Sequence, residues 1–222
     1  MTADTVNIAQ TLDLDPHHIE IRAVREQEIH HVADIITRSF HFDRGWMAWF
    51  APLFKLGIAE DLRHRLRAHV PSAPPHKQQV CSIAVHTGQQ QVIGTIEVGV
   101  RTANKYRQVD PHRYVYISNL AVSRDFRRRG VAQELLKSCE QLTKSWGYPD
   151  LFLHVMGDNE RGRNLYEKLG YELVSSEVVW SIIPWHRPER LFLRKQLEPI
   201  VDLGYYSADK APLTVDLLDV GD

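Results

Sequence analysis

Cysteine is scarce: there are two in 222 residues, Cys81 and Cys139. They form no CxxC pair and are too few for a disulfide framework or a thiolate zinc cage. Both lie in apolar stretches, so they are expected to be buried free thiols in a reducing compartment. Net charge is almost absent, with 27 Lys and Arg against 28 Asp and Glu. That excludes nucleic-acid binding by overall charge. No apolar run approaches the length of a membrane span. The first residues lack a basic start followed by an apolar run, and the segment before Arg22 is acidic, not Arg-rich. Neither a secretory signal nor a transit peptide is expected there, so the expected compartment is the cytoplasm. Histidine is plentiful, at 12, but scattered. His17-His18 and His30-His31 are adjacent pairs without the helical spacing of metal ligands, so no metal is expected. There are no internal repeats and no low-complexity stretches.

What remains is an ordinary globular composition, 43% hydrophobic and 25% charged, long enough for one sizeable core. Residues 1–17 read as a loose leader, 18–197 as one domain, and 198–222 as an acidic tail with Leu213–Val220 able to dock. Ile19–Val24 alternates as a strand. Glu26–Phe40 carries apolar residues at helical spacing. Trp46–His69 is a second helical region, which Pro52 and Gly57 are expected to break in two. Strands are predicted at Val80–Thr87, Val92–Val100, Tyr114–Val122, Leu151–Met156, Tyr171–Ile182 and Leu191–Leu197, with a hairpin at Gly88–Gln91. Helices are predicted at Val131–Trp146, stopped by Gly147, and at Asn159–Leu169, stopped by Gly170.

The most informative stretch joins the strand Leu120-Ala121-Val122 to the helix that opens at Val131-Ala132. Between them lies a basic loop, Arg124 to Arg129, ending at Gly130. A strand–loop–helix of this kind turns several backbone N–H groups and the positive helix end toward one point, which suits a phosphate or pyrophosphate. The amides of Arg128 to Ala132 can cradle the anion, while Arg127 and Arg129 supply charge. Gly130 permits a close approach of the backbone.

The order Arg127-x-x-Gly130-x-Ala132 resembles the (Gln/Arg)-x-x-Gly-x-(Gly/Ala) loop of the GNAT superfamily, the acetyl-CoA-dependent N-acyltransferases. The block from Leu151 to Tyr171 is similar to the C-terminal half of that family: a strand, an Asn, then a helix bearing Leu-Tyr-x-x-x-Gly-Tyr. The resemblance covers roughly residues 80–197. It implies an α/β GNAT fold, with a central mixed, mostly antiparallel sheet splayed near Val155 and flanked by helices. Acetyl-CoA is then the co-substrate, held by Leu120, Ala121, Val122, Arg127, Arg128, Arg129, Gly130, Val131, Ala132, Asn159 and Tyr166. Asn159 stands where the family's Asn meets the pantetheine arm or neighbouring backbone. Gly162 and Arg163 depart from the family, in which many members have a small Ala at the place of Arg163.

Acyl transfer to an amine asks for two proton-handling groups. Tyr166 occupies the place of the Tyr near the thioester sulfur, and a phenol can donate to a leaving thiolate without being ionised at neutral pH. The amine must lose a proton, and His154 is the leading base, with Glu97 and Tyr116 in reserve. The Leu-His-Val run at 153–155 is similar to protein N-terminal acetyltransferases. With Asp158-Asn159 and Ser145-Trp-Gly, it looks most like bacterial ribosomal-type and plastid or cyanobacterial protein acetyltransferases. The acceptor wall is expected from His41–Trp49 and Val179–Arg190. The implied activity is direct transfer to a protein or peptide amine, by a monomer or homodimer, with no membrane or nucleic-acid partner. A small-molecule amine acetyltransferase and a noncatalytic CoA-binding module are the alternatives.

Overall fold

The structure is a computed structural model that describes residues 18–39, 51–68, 78–103, 112–178 and 189–198. Seven strands form one sheet in the order β1-β2-β3-β4-β5-β7-β6. They are β1 Ile19–Ala23, β2 Gln79–His86, β3 Gln91–Ala103, β4 His112–Val122, β5 Asp150–Met156, β6 Glu172–Val178 and β7 Glu189–Gln196. Only β4 and β5 run parallel; every other neighbouring pair is antiparallel. The crossover between the parallel pair is α3, Val131–Ser145, as parallel pairing demands.

Alternation sorts the strand residues onto two faces. Ile96, Val98, Val115, Ile117, Leu151, Leu153, Val155 and Leu193 turn to one side. There they meet Val131, Leu135, Leu136 and Cys139 of α3 and Tyr166 of α4, Glu160–Lys168. These α3 positions recur at helical spacing, so one stripe of the helix is apolar and buried. On the other face, Cys81, Ile83, Val85 and Ala121 pack against Val32, Ala33 and Ile36 of α1, Ile29–Ser39, and against Leu62 of α2, Ala51–Ala68.

A short 3-10 turn, Glu26–Glu28, leads into α1. Glu28 receives both terminal nitrogens of Arg22, at 2.8 and 2.5 Å, and the Arg25 amide at 2.9 Å. Its hydrogen bonds to Arg22 hold its carboxyl down at about 2. A lowered carboxyl stabilises the fold above its unfolded pKa, and that contribution is lost as pH falls from about 4.5 toward 2. Glu28→Gln should therefore destabilise by on the order of 1 kcal/mol at pH 7, allowing for solvent screening. The difference should close in denaturant titrations carried down through that pH range; an equal deficit at every pH would refute it.

One departure from the sequence reading concerns a helix. The second helical region is not broken at Gly57: α2 runs continuously from Ala51 to Ala68, while the residues before Ala51 lie outside the described residues. Pro52 sits in the first turn, where its missing N–H has no intrahelical acceptor to lose. Gly57 is exposed with open space around it, and costs helix propensity without ending the helix. The leader, Phe40, the Trp46–Phe50 stripe, the Pro71–His76 linker, the second half of the predicted 171–182 strand and the tail beyond 198 lie outside the described residues.

Candidate active site

β4 and β5 stay paired only where Val115, Tyr116 and Ile117 face Leu151, Phe152 and Leu153. Beyond that point β4 continues to Val122, held by β3, and β5 continues to Met156, held by β7. The strands part between them. The cause is visible in β4: Thr95 faces Ala121 but Glu97 faces Ser118, so β4 carries one extra residue at Asn119–Leu120. Asn119 takes a positive φ of 53° there, and such a bulge sharpens the local twist. The facing edges of Ser118–Val122 and His154–Met156 are thus left unpaired across a gap, able to hydrogen-bond an extended chain that carries amides.

The basic loop closes one end of this gap. Ser123 bonds back to Ile93 and a short turn, Arg124–Phe126, follows, with buried Phe126 anchoring it in the core. Arg127 then donates through Nε to the Val122 carbonyl at 3.0 Å, and the Arg129 guanidinium lies 5.8 Å from the Phe126 ring centre. Arg128 and Gly130 both have positive φ, 62° and 80°. Gly130 is the N-cap of α3 and offers no side-chain cap. The helix's leading amides, from Val131 and Ala132 onward, are therefore left without an intrahelical acceptor. Uncapped amides, the positive helix end and three consecutive arginines fit a diphosphate.

On the face away from α3, Tyr116 and His154 meet. The Tyr116 hydroxyl lies 2.9 Å from His154 Nδ1. Adjacent strands bring the two side by side: Tyr116 faces Phe152, and His154 is the next residue on that face of β5. The His154 ring also lies 4.6 Å from that of Phe192, which in turn stacks on Phe152 at 5.3 Å. Burial lowers the His154 pKa below 6.5, and the Arg190 guanidinium lowers it further. Burial raises Tyr116 above 10, only partly offset by Arg101. At neutral pH the pair is a neutral phenol beside a neutral imidazole.

Glu97, the other reserve base, is buried and points to the same face, where Asn119 and Gln79 engage it. It accepts from Asn119 Nδ2 at 2.9 Å and from Gln79 Nε2 at 3.5 Å. With Tyr116, Ser118 and Arg101 it lines a cavity of about 220 Å³. A larger cavity of about 930 Å³ lies between α1 and the loop, lined by Asp34, Arg38, Arg124 and Arg127 among others, and includes neither Tyr116 nor His154.

Tyr166 comes from the opposite face, on α4. It is buried, edge-on to Tyr171 at 5.6 Å, and its pKa is pushed up to about 12 by burial, with a smaller push from Tyr116. The hydroxyl of Tyr171 beside it is buried with no hydrogen-bond partner among the described residues. Asn159 caps α4, accepting from the Gly162 amide at 3.0 Å. That cap accounts for Gly162: a Cβ there would stand 2.8 Å from the Asn159 side chain. Arg163 is exposed and reaches back to the Gly157 carbonyl at 3.0 Å. Sequence reasoning passed over Arg101 and gave Asn119, at the head of the 119–132 stretch, no role of its own. An Asn just before a strand's last three residues is the one available signal of a bulge; Arg101 gave none.

The sequence profile of the acetyltransferase (GNAT) family matches residues 43–171. The chain is similar to GCN5-related N-acetyltransferase 10, chloroplastic, of Arabidopsis thaliana, at 28% identity over 211 residues, covering 88% of this chain and 81% of that protein. Among solved structures it resembles PaiA N-acetyltransferase of Thermoplasma acidophilum in complex with coenzyme A, with TM-score 0.58 and 16% identity over 80% of this chain and 98% of that one. It also resembles Arabidopsis thaliana NAA60 in complex with a bisubstrate analogue, with TM-score 0.55 and 18% identity over 81% and 98%. At such identities these two likenesses concern the fold.

Proposed function

The chain belongs to the acetyltransferase (GNAT) family, and from that premise we propose that it transfers acetyl from acetyl-CoA to a protein amine, an N-terminal α-amine or a lysine, by direct attack with both substrates bound. The observation that carries this reading is the placement of proton-handling groups on both faces of the gap between β4 and β5. Tyr116 and His154 stand on one face and Tyr166 on the other.

The residues present fit acetyl-CoA. Arg127, Arg128, Arg129 and the amides from Gly130 to Ala132 would hold its pyrophosphate. Leu120 to Val122 would hold the amide-bearing arm along the unpaired edge of β4, and Asn159 would shape the start of α4 beside it. Bound there, acetyl-CoA supplies an activated acyl carbon and a thiol leaving group.

An amine attacks only as the free base, and a lysine near 10.4 or an α-amine near 8 is mostly protonated at pH 7. Tyr116, which lines the small cavity, takes the amine's proton on its oxygen while passing its own to His154 Nδ1. A His154 held neutral by burial is ready to receive it. A phenol raised by burial relays a proton without resting as phenolate. On the far face, Tyr166 stays protonated and gives its proton to the departing sulfur. Glu97 supports the bulge through Asn119 and lines the acceptor side. No acyl-thiol stage is needed: Cys139 is fully buried, and burial pushes its thiol far up.

Cys81 and Cys139 are buried thiols outside any disulfide, which fits a reducing compartment, and we propose that this is the cytoplasm. The chloroplast in the name of the Arabidopsis relative belongs to that protein. Among the described residues no helix is long and apolar enough to cross a membrane.

Acetyl-CoA turnover against peptide N-termini, lysine peptides and polyamines tests the reading. Peptide acetylation supports it; turnover of polyamines alone overturns it. Tyr166→Phe should lower kcat by roughly ten- to a thousandfold and change acetyl-CoA affinity by less than about twofold, since donation to the leaving group is made only in the transition state. An unchanged kcat would remove Tyr166 from the chemistry.

A further inference from the structure

The open sheet face beside Tyr116 and His154 carries three arginines: Arg101 on β3, and Arg190 and Arg194 on β7. Two of them are neutralised in place. Arg190 donates to Glu177 at 2.6 Å and Arg194 to Asp150 at 2.8 Å. Arg101 has no carboxylate partner among the described residues. It is exposed, with its guanidinium carbon 4.6 Å from the centre of the Tyr116 ring. It lines the cavity of about 220 Å³ together with Glu97 and Tyr116. The Glu97 carboxylate is already engaged by Asn119 and Gln79. The cavity is therefore lined by a carboxyl group whose oxygens are already hydrogen-bonded and by a guanidinium that, among the described residues, rests on an aromatic ring.

We propose that Arg101 determines acceptor specificity, holding a carboxylate that stands next to the reacting amine in the acceptor peptide. The inference rests on the protein-amine reading above. The spacing sets the substrate class. β3 and β5 flank β4, so they lie about 10 Å apart, and Tyr116 stands between Arg101 and His154. An acceptor amine at the Tyr116 hydroxyl and a carboxylate at Arg101 would be separated by roughly one residue, about 4 Å of backbone plus a short side chain. An acidic side chain on the residue after the amine meets that distance, whereas a free amino acid holds its carboxylate too near. A polyamine would bring a second cation against Arg101. Stacking on Tyr116 leaves the guanidinium edge free, and that edge is the part that binds a carboxylate bidentately.

Matched peptides test this: Ser-Asp against Ser-Asn at the N-terminus, and Lys-Asp against Lys-Asn around an internal lysine, each assayed with acetyl-CoA for kcat/KM. The acidic member of the pair that turns over should be preferred roughly tenfold. Arg101→Ala should bring the ratio to within about twofold, Arg101→Lys should keep part of it, and Arg101→Glu should reverse it. Because each ratio is taken within one protein, a variant with less folded enzyme still reports it. Equal kcat/KM for acid and amide peptides in the parent, or a preference that survives in Arg101→Ala, overturns the inference and leaves the protein-amine reading standing. Turnover of polyamines and of no peptide overturns both.

Discussion

Gly130→Asp should leave the protein folded and weaken acetyl-CoA binding by at least about a hundredfold. Gly130 has φ of 80°, so any side chain there meets some strain. Space is not the obstacle, because a Cβ would find nothing within 4 Å. Asp is among the residues that tolerate this region best, and it is a favoured N-cap. Its carboxylate would accept from the leading amides of α3, which Gly130 leaves uncapped. The change therefore supplies the helix with its own anion at the place where the pyrophosphate would go, and sets a like charge against it. Stability should move by no more than about 1 kcal/mol while binding is lost. Calorimetry with acetyl-CoA and a thermal melt measure the two effects separately. A folded variant that binds as well as the parent would refute the assignment of this loop.

The second large effect belongs to the Tyr116–His154 pair. His154→Ala and Tyr116→Phe should each lower kcat by about a hundred- to a thousandfold at pH 7. The double variant should be no worse than the weaker single one, because both remove the same relay. The pH dependence has a definite sign. The relay needs neutral His154, whose pKa lies below 6.5 through burial and Arg190. The parent's rate should rise through an inflection below pH 6.5, and that inflection should be missing with alanine at 154. The alanine variant's deficit should then narrow as pH climbs toward the amine's own pKa, where less help is needed. A pH–rate profile unchanged by His154→Ala would put the base elsewhere, with Glu97 next to test. Multiplying deficits in the double variant would mean that Tyr116 and His154 act separately.

Much of the architecture was written locally. The run Arg127-x-x-Gly130-x-Ala132 foretold a loop ending at a helix start, and α3 does begin at Val131. Gly147 and Gly170, with φ of 77° and 81°, end α3 and α4 as their positions in the sequence foretold. Alternation in 80–122 foretold the strands to within a few residues, because a face's burial follows from period two whichever strand lies beside it. The reading erred at Gly57, where a helix-breaking residue was weighed without knowing that α2 runs through it in the span Ala51–Ala68.

The site divides along the same line. The basic loop and the start of α3 depend on neighbours in the chain, and the sequence by itself determined them; the Asn159 cap of α4 and the burial of Tyr166 against the sheet came with the structure. Tyr116, His154, Glu97 and Arg101 are single residues on three strands, spread over more than fifty positions. Nothing local distinguishes a strand histidine that meets a tyrosine from one that meets a leucine. Their meeting required β4 to lie parallel beside β5, with Tyr116 opposite Phe152. It also required an extra residue at Asn119–Leu120 to end that pairing and open the gap. Strand order and register arise from packing over the whole sheet, where a shift of one residue turns every side chain to the other face. Tertiary structure alone decided which proton carriers stand together and which arginine stands without a carboxylate among the described residues.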